Sequence, residues 1–229
     1  MGLRDNLINF VKSIVLDTWN EDLARVVPTP TSLVLNGNDA KYLPDAVVLY
    51  ADIDNSTEMV ELYPWNFCAE VYKNYLHCAS QIIKSEGGVI TAYDGDRVMA
   101  IYVGDNRDTR AVRTAMKISS AVKNIINIET EKIYESGFKL RHKVGIDRSD
   151  LRAARVGVKG DNDIVWIGTA ANTAAKLCAL NEKTIYITEK VYKAMDEETK
   201  LLGTIPMWEK ITWNGRVIYR TTYSWKIPN

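Results

Sequence analysis

No apolar run in the chain approaches the roughly 20 residues that a helix needs to cross a bilayer. Nor does any stretch join an uninterrupted apolar segment to the small-residue cleavage site of a secretory leader. Direct membrane insertion is therefore not expected, and a cytoplasmic location is. A surplus of one charge is missing too. The 29 basic and 29 acidic residues cancel, so no overall field would hold the protein on a nucleic-acid backbone, and nucleic acid is not an expected partner. Cysteine is scarce: Cys68, Cys78 and Cys178 are an odd number without metal-ligand spacing. They read as reduced, packed thiols rather than a disulfide framework or a zinc site. Internal repeats and low-complexity tracts are also absent, which sets aside solenoids and disordered arrays.

What is present suits one sizeable enzyme domain. The chain has 229 residues and 46% apolar content, ample for a core. Near the start, Leu3, Leu7, Phe10, Val11, Ile14 and Val15 recur close to helical spacing with charges between them. That pattern predicts an amphipathic helix that packs on a domain or a partner chain, with membrane-surface docking as the lesser reading. Residues 1–27 are thus expected to form a helical extension, and 28–44, rich in Pro, Thr, Asn, Gly and Asp, a linker. Residues 45–229 form the main domain.

Within that domain AVVLYADI is a continuous apolar run, as in a strand buried on both faces. Helix-cap chemistry at Asn55, Ser56 and Thr57 leads into a helical pattern from about Pro64 to Glu86, stopped by Gly87 and Gly88. VITAYDGDRVMAIYVG predicts a hairpin about Asp94-Gly95. A helix is expected from about Arg107 to Ser136, followed by strands in FKLRHKVGID, LRAARVGVKG and DIVWIG. GTAANTAAKLCAL reads as a helix whose small residues permit close approach. KTIYIT is a strand, EKVYKAMDEETK a helix, and the chain closes on a hairpin about Asn214-Gly215. The order β-α-β-β-α-β with appended α/β elements predicts an α+β, ferredoxin-like core with one sheet face covered by helices and one available.

Two carboxylates stand out against this frame. Asp52 ends the buried strand and Asp96 sits at the tip of the neighbouring hairpin. A pair so placed can hold divalent cations against a triphosphate. In LYADIDNST, GGVITAYDGDRVMAIY, VGID and IGTAANTAAKL, in that order, the chain resembles the class III nucleotidyl cyclases from about Asp45 to Tyr223. The resemblance implies a head-to-tail homodimer acting on a nucleoside triphosphate. Asp52, the carbonyl of Ile53 and Asp96 of one subunit would hold two divalent ions, Mn or Mg, with Asp54 as a neighbour only. The triphosphate would lie at the turn of Asn55, Ser56 and Thr57. Asn172 would orient the ribose, and Lys176, one helical turn on, would neutralise the α-phosphate from the other subunit. Lysine stands there in place of the family's arginine, exchanging a bidentate fork for a point charge.

The base-reading positions of purine-specific members fall on Ala92 and Val165, neither of which hydrogen-bonds through its side chain. Unmatched polar groups in a closed pocket cost about 1–3 kcal/mol each, so adenine is poorly served. Tyr50, Tyr93 and Arg97 are larger than usual there; they would shrink the pocket and offer donors to the two carbonyls of uracil. These departures, with the short extension and no sensor domain, resemble the pyrimidine cyclases of bacterial anti-phage (Pycsar) systems. That likeness implies cyclic UMP, or alternatively cyclic CMP, as product, a phage-linked trigger, and a separate effector that reads the product. Asp150 stands where many members carry a phosphate-contacting arginine, and any of Arg148, Arg152 and Arg155 around it could compensate; Lys210 and Arg216 on the closing hairpin are further candidate triphosphate contacts. The rivals are a degenerate domain that only binds nucleotide or dimerises, a diguanylate cyclase, whose acidic GGDEF-type turn YDGDR lacks, and RNA binding through Tyr50, Tyr93 and Tyr102 on an open sheet.

Overall fold

The AVVLYADI run becomes the second half of a longer strand in the computed structural model, which describes residues 2–135 and 137–228. The chain begins with α1 (Leu3–Leu16), β1 (Asn20–Leu23) and β2 (Asp39–Ile53). There follow α2 (Ser56–Leu62), α3 (Trp65–Ser85), the hairpin β3 (Val89–Asp94) and β4 (Arg97–Tyr102), and α4 (Arg107–Ala121). One wide π turn over Val122–Ile126 carries α4 into α5 (Asn127–Tyr134); the expected end of this helix at Ser136 lies outside the described residues. The remainder is β5 (His142–Val158), β6 (Asp161–Ile167), α6 (Thr169–Cys178), β7 (Ile185–Thr188), α7 (Glu189–Ala194), the short pair β8 (Leu201–Leu202) and β9 (Ile205–Pro206), and the closing hairpin β10 (Glu209–Trp213) and β11 (Arg216–Thr221).

The central sheet runs β10-β11-β7-β5-β2-β4-β3. Its inner four strands, β5-β2-β4-β3, are antiparallel and have the ferredoxin-like order expected of a β-α-β-β-α-β chain. Period-two alternation sorts β2 onto two cores. Val47, Leu49, Ala51 and Ile53 pack with Phe67, Val71 and Tyr75 of α3 and with Val112, Ala115 and Met116 of α4. Ala46 and Val48 meet Met99, Ile101, Leu151 and Ala153, closed over by Ala170 and Ala174 of α6 and by Val27 and Leu33. The second sheet face is thus not simply available: α6 and the 27–33 segment cover much of it.

Three local expectations are corrected. The extension is not all helix, because β1 follows α1 and pairs parallel to β2, Asn20 with Asp39 through Leu23 with Tyr42. The linker ends early, since β2 begins at Asp39 and pairs with β5 from Lys41 onward. Pro44 and Asp45, turn-like in sequence, form a bulge where the register shifts between Leu43 and Ala46. Asp45 takes φ +52° there, and its N–H donates to Asp150 Oδ1 at 3.0 Å. The two strands read from FKLRHKVGID and LRAARVGVKG are one, β5. None of α1 is buried; it is tied through Asn38, whose Nδ2 donates to the carbonyls of Ile14 and Asp17. Among the described residues no helix is long and apolar enough to cross a membrane.

Candidate active site

Asp52 and Arg97 face each other across β2 and β4, because the register that pairs Ala51 with Val98 brings the next positions opposite. The Asp52 side chain is 17% exposed and accepts two bonds on Oδ2, from Arg97 Nε at 3.1 Å and Nη2 at 2.9 Å. Burial pushes its carboxyl above the usual carboxylate range; the Arg97 bonds pull it back, and the charge of nearby Asp96 pushes it further up. From below, the buried Tyr75 hydroxyl donates to the Asp52 carbonyl at 3.3 Å. Asp96 occupies the β3–β4 turn after Gly95, whose φ of +59° suits the glycine-first position of a tight hairpin. Its Oδ2 is buried with no hydrogen-bond partner among the described residues. Two convergent carboxylates, one bound to a guanidinium and the other bare, form an anionic pair that asks for a cation. Among the described residues no cluster of three or more His, Cys, Asp or Glu forms a closed metal cage. This donor set suits a magnesium-type ion, which takes one or two carboxylates and completes its shell with water and substrate phosphates. Ile53 lies on β2 between Asp52 and Asp54 with its side chain in the core. Asp54 turns elsewhere, 3.6 Å from Arg141 and 3.7 Å from Lys143.

The turn expected to cradle phosphate starts α2. Asn55 sits in the left-handed region at φ +61° and its Nδ2 reaches Glu58 at 3.4 Å. Ser56 and Thr57 open the helix, where backbone N–H groups lack intrahelical acceptors.

Beside the Asp52–Arg97 row runs a second one: Ala92 pairs with Met99, which pairs with Tyr50, which pairs with Gly145. Tyr50 is half-buried, and its ring lies 5.8 Å from the Arg97 guanidinium carbon. Tyr93 does not join them. It pairs with Val98, of the core facing α3 and α4, and its hydroxyl bonds Ser80 on α3 at 2.8 Å. Tyr93 therefore does not share the face of Tyr50 and Ala92 expected to line the base pocket, since consecutive strand residues point to opposite faces. Val165 lies on β6 opposite Ala154 and is 38% exposed. Tyr102 is fully buried and donates to Thr114, so the aromatic platform suggested for RNA does not exist.

α6 brings the remaining pair. Ala170, Thr173, Ala174, Leu177 and Cys178 form its buried stripe, and Asn172 and Lys176 therefore lie on the outward, exposed side. The helix lies directly on β5 because of Gly145: a Cβ there would stand 2.1 Å from the Ala174 carbonyl oxygen. Ser149 Oγ accepts the Ala170 N–H at 3.0 Å and fixes the helix start. Cys178 donates to the Tyr50 carbonyl at 3.1 Å, and burial pushes its thiol up to about 12, consistent with a packing role. Among the described residues neither the Asn172 nor the Lys176 side chain has a hydrogen-bond or ion-pair partner, although the Lys176 carbonyl accepts the Ala179 N–H at 3.2 Å.

The arginines around Asp150 are all engaged. Arg148 binds Asp45 and the buried Asp108, Arg152 binds Glu21 and lies over the Tyr42 ring, and Arg155 holds Asn162 and the Leu33 carbonyl. Asp150 itself is held below the usual carboxylate range by the Asp45 N–H and the Tyr42 hydroxyl. A cavity of about 290 Å³ separates α6 from the closing hairpin, lined in part by Asp147, Thr169, Thr173, Lys190 and Arg216. It distinguishes Arg216, which faces the cavity beside α6, from Lys210, which does not. The cavity and Lys190 carried no sequence signal, since they arise where separate elements converge.

No family model matches the chain. A uridylate cyclase of Burkholderia cepacia is 48% identical over 226 residues, 99% of each chain. A second, of Xanthomonas perforans, is 46% identical over 99% of this chain and all of its own length, and a third, of Rhodovulum, is 32% identical over 100% of this chain and 99% of its own. The fold matches the adenylyl cyclase CyaB from P. aeruginosa with a TM-score of 0.64 at 21% identity, over 79% of this chain and 94% of that one. The guanylyl cyclase Cya2 matches with a TM-score of 0.68 at 16% identity, over 82% and 95%. With end-to-end similarity of this degree, and the cyclase fold beneath it, the chain belongs to the class III nucleotidyl cyclase family and is a nucleotidyl cyclase.

Proposed function

We propose that the protein converts UTP to 3′,5′-cyclic UMP and pyrophosphate in a head-to-tail homodimer, each site built from Asp52 and Asp96 of one subunit and Asn172 and Lys176 of the other. The observation that carries the substrate is the 48% identity, over 99% of each chain, to a uridylate cyclase. The Ala92–Met99–Tyr50 row supports it, because none of these side chains supplies the acid or lysine that a purine edge needs.

Asp52, Asp96 and the Ile53 carbonyl would hold two divalent ions, Mn or Mg, which when bound supply Lewis acidity toward the ribose 3′ hydroxyl and charge neutralisation for the phosphates. Asn172 holds the sugar so that its 3′ oxygen points at the α-phosphate in line with departing pyrophosphate. Lys176 places a positive charge where the equatorial oxygens gain negative charge. The turn at Asn55, Ser56 and Thr57 receives the β- and γ-phosphates with backbone N–H groups, and Arg216 adds a cation from the partner's side. Tyr50 walls the base pocket. A separate effector would read the product, in keeping with a role in anti-phage signalling.

Incubation of the purified protein with each of the four nucleoside triphosphates and Mn²⁺, with products resolved by mass spectrometry, is expected to give cyclic UMP as the main product. Dominant cyclic AMP would overturn the pyrimidine assignment, and dominant cyclic CMP the uracil one.

A further inference from the structure

The guanidinium on Asp52 occupies the position from which the proposed cations must be held. Arg97 commits two donors to a single oxygen of Asp52, while the buried Oδ2 of Asp96, the preceding residue, is left bare. Charge-assisted bonds of this kind, on a carboxylate only 17% exposed, are not displaced without replacement. The side chain also has somewhere to go. Asp94 is exposed and is its direct cross-strand partner at the foot of the hairpin, and the Tyr50 ring lies beside its path.

From this geometry we propose that Arg97 is a built-in placeholder cation: it neutralises Asp52 in the nucleotide-free enzyme, blocks uptake of free divalent metal, and yields only when metal arrives with the triphosphate. The inference rests on the two-cation reading above and adds an order of binding to it. Free metal competes alone against the guanidinium for Asp52. A metal–nucleotide complex brings phosphate oxygens that complete the metal's shell, and contacts to the Asn55–Thr57 turn, so its added binding energy can displace Arg97 toward Asp94. Arg97 acts through Asp52 and is a positioning residue; its charge is unchanged throughout, and only its partner changes.

The test is titration of Mn²⁺ alone, without nucleotide, by calorimetry and by metal-induced change in melting temperature, on the wild type and on Arg97→Gln, Arg97→Lys and Asp52→Asn. Arg97→Gln is expected to bind Mn²⁺ roughly tenfold more tightly than wild type and to show the larger thermal shift. Arg97→Lys, which keeps a cation, should remain close to wild type. Adding Asp52→Asn to Arg97→Gln should abolish the gain. Equal Mn²⁺ affinity for wild type and Arg97→Gln would overturn the placeholder role. A parallel titration in the presence of a non-hydrolysable UTP analogue separates this from failure of the two-cation reading: if Asp52→Asn then binds Mn²⁺ as well as wild type, Asp52 is not a ligand at all.

Discussion

In the proposed site Lys176 stands where the family carries arginine, exchanging a planar five-donor fork for one rotatable ammonium. Its exposed place on α6, with no ion-pair partner for the ammonium among the described residues, suits the proposed contact with substrate. Lys176→Ala should lower kcat roughly a hundredfold or more with KM little changed, because the interaction matters most in the transition state. Lys176→Arg should keep or raise kcat, and steady-state kinetics on both variants checks the pair. Away from the site, His142 is a group whose burial carries a pH signature. It is enclosed in the core against Ser119 Oγ at 3.1 Å. Desolvation, with Lys123 and Lys143 nearby, lowers its pKa from 6.5 to about 3. The unfolded chain therefore takes up a proton below about pH 6.5 that the folded chain refuses, so stability falls as pH drops from there toward about 3, and this group has no effect well above that window. At pH 5 the cost is ~2 kcal/mol. His142→Gln should keep a bond to Ser119 and flatten the loss between pH 7 and 5, as read by urea denaturation.

Among the elements, α6 depends most on a distant glycine. Its alanines announce close approach, but the surface approached is Gly145 on β5, far back in the chain. Gly145→Ala forces a Cβ against the Ala174 carbonyl. It should cost about 1–3 kcal/mol and lower kcat by displacing Asn172 and Lys176, with melting temperature and turnover falling together. Elements with a period of their own, such as α3, α4 and the β3–β4 hairpin, were legible from pattern. β1 was not: NEDL is exposed throughout and is a strand only because the β2 backbone offers it an edge. Pro44 and Asp45 misled for a related reason, since turn chemistry within a long strand makes a bulge when both flanks are held by neighbours.

At the scale of the whole molecule, the proposed shared site would make activity a property of two chains. Asp52→Asn and Lys176→Ala subunits, each inactive alone, should complement when mixed and allowed to exchange. Random pairing makes half the dimers mixed, each with one intact site, so about a quarter of wild-type activity should return. Product formation against mixing ratio checks it, and absence of recovery would count against the shared site. By itself the sequence determined most of the helices, the β3–β4 hairpin and the places of Asp52 and Asp96 at element ends, because apolar period and turn residues act over a few neighbours; the Asn172–Lys176 pair came from the family resemblance, and its i,i+4 spacing put it on one helical face. Only the tertiary structure decided which way those side chains look. A register shift between Ile90 and Ala92 settles that Ala92, not Tyr93, lines the face bearing Asp52. The bond from Arg97 to Asp52 joins residues 45 apart, and no local spacing encodes a contact made by two strands meeting in a sheet.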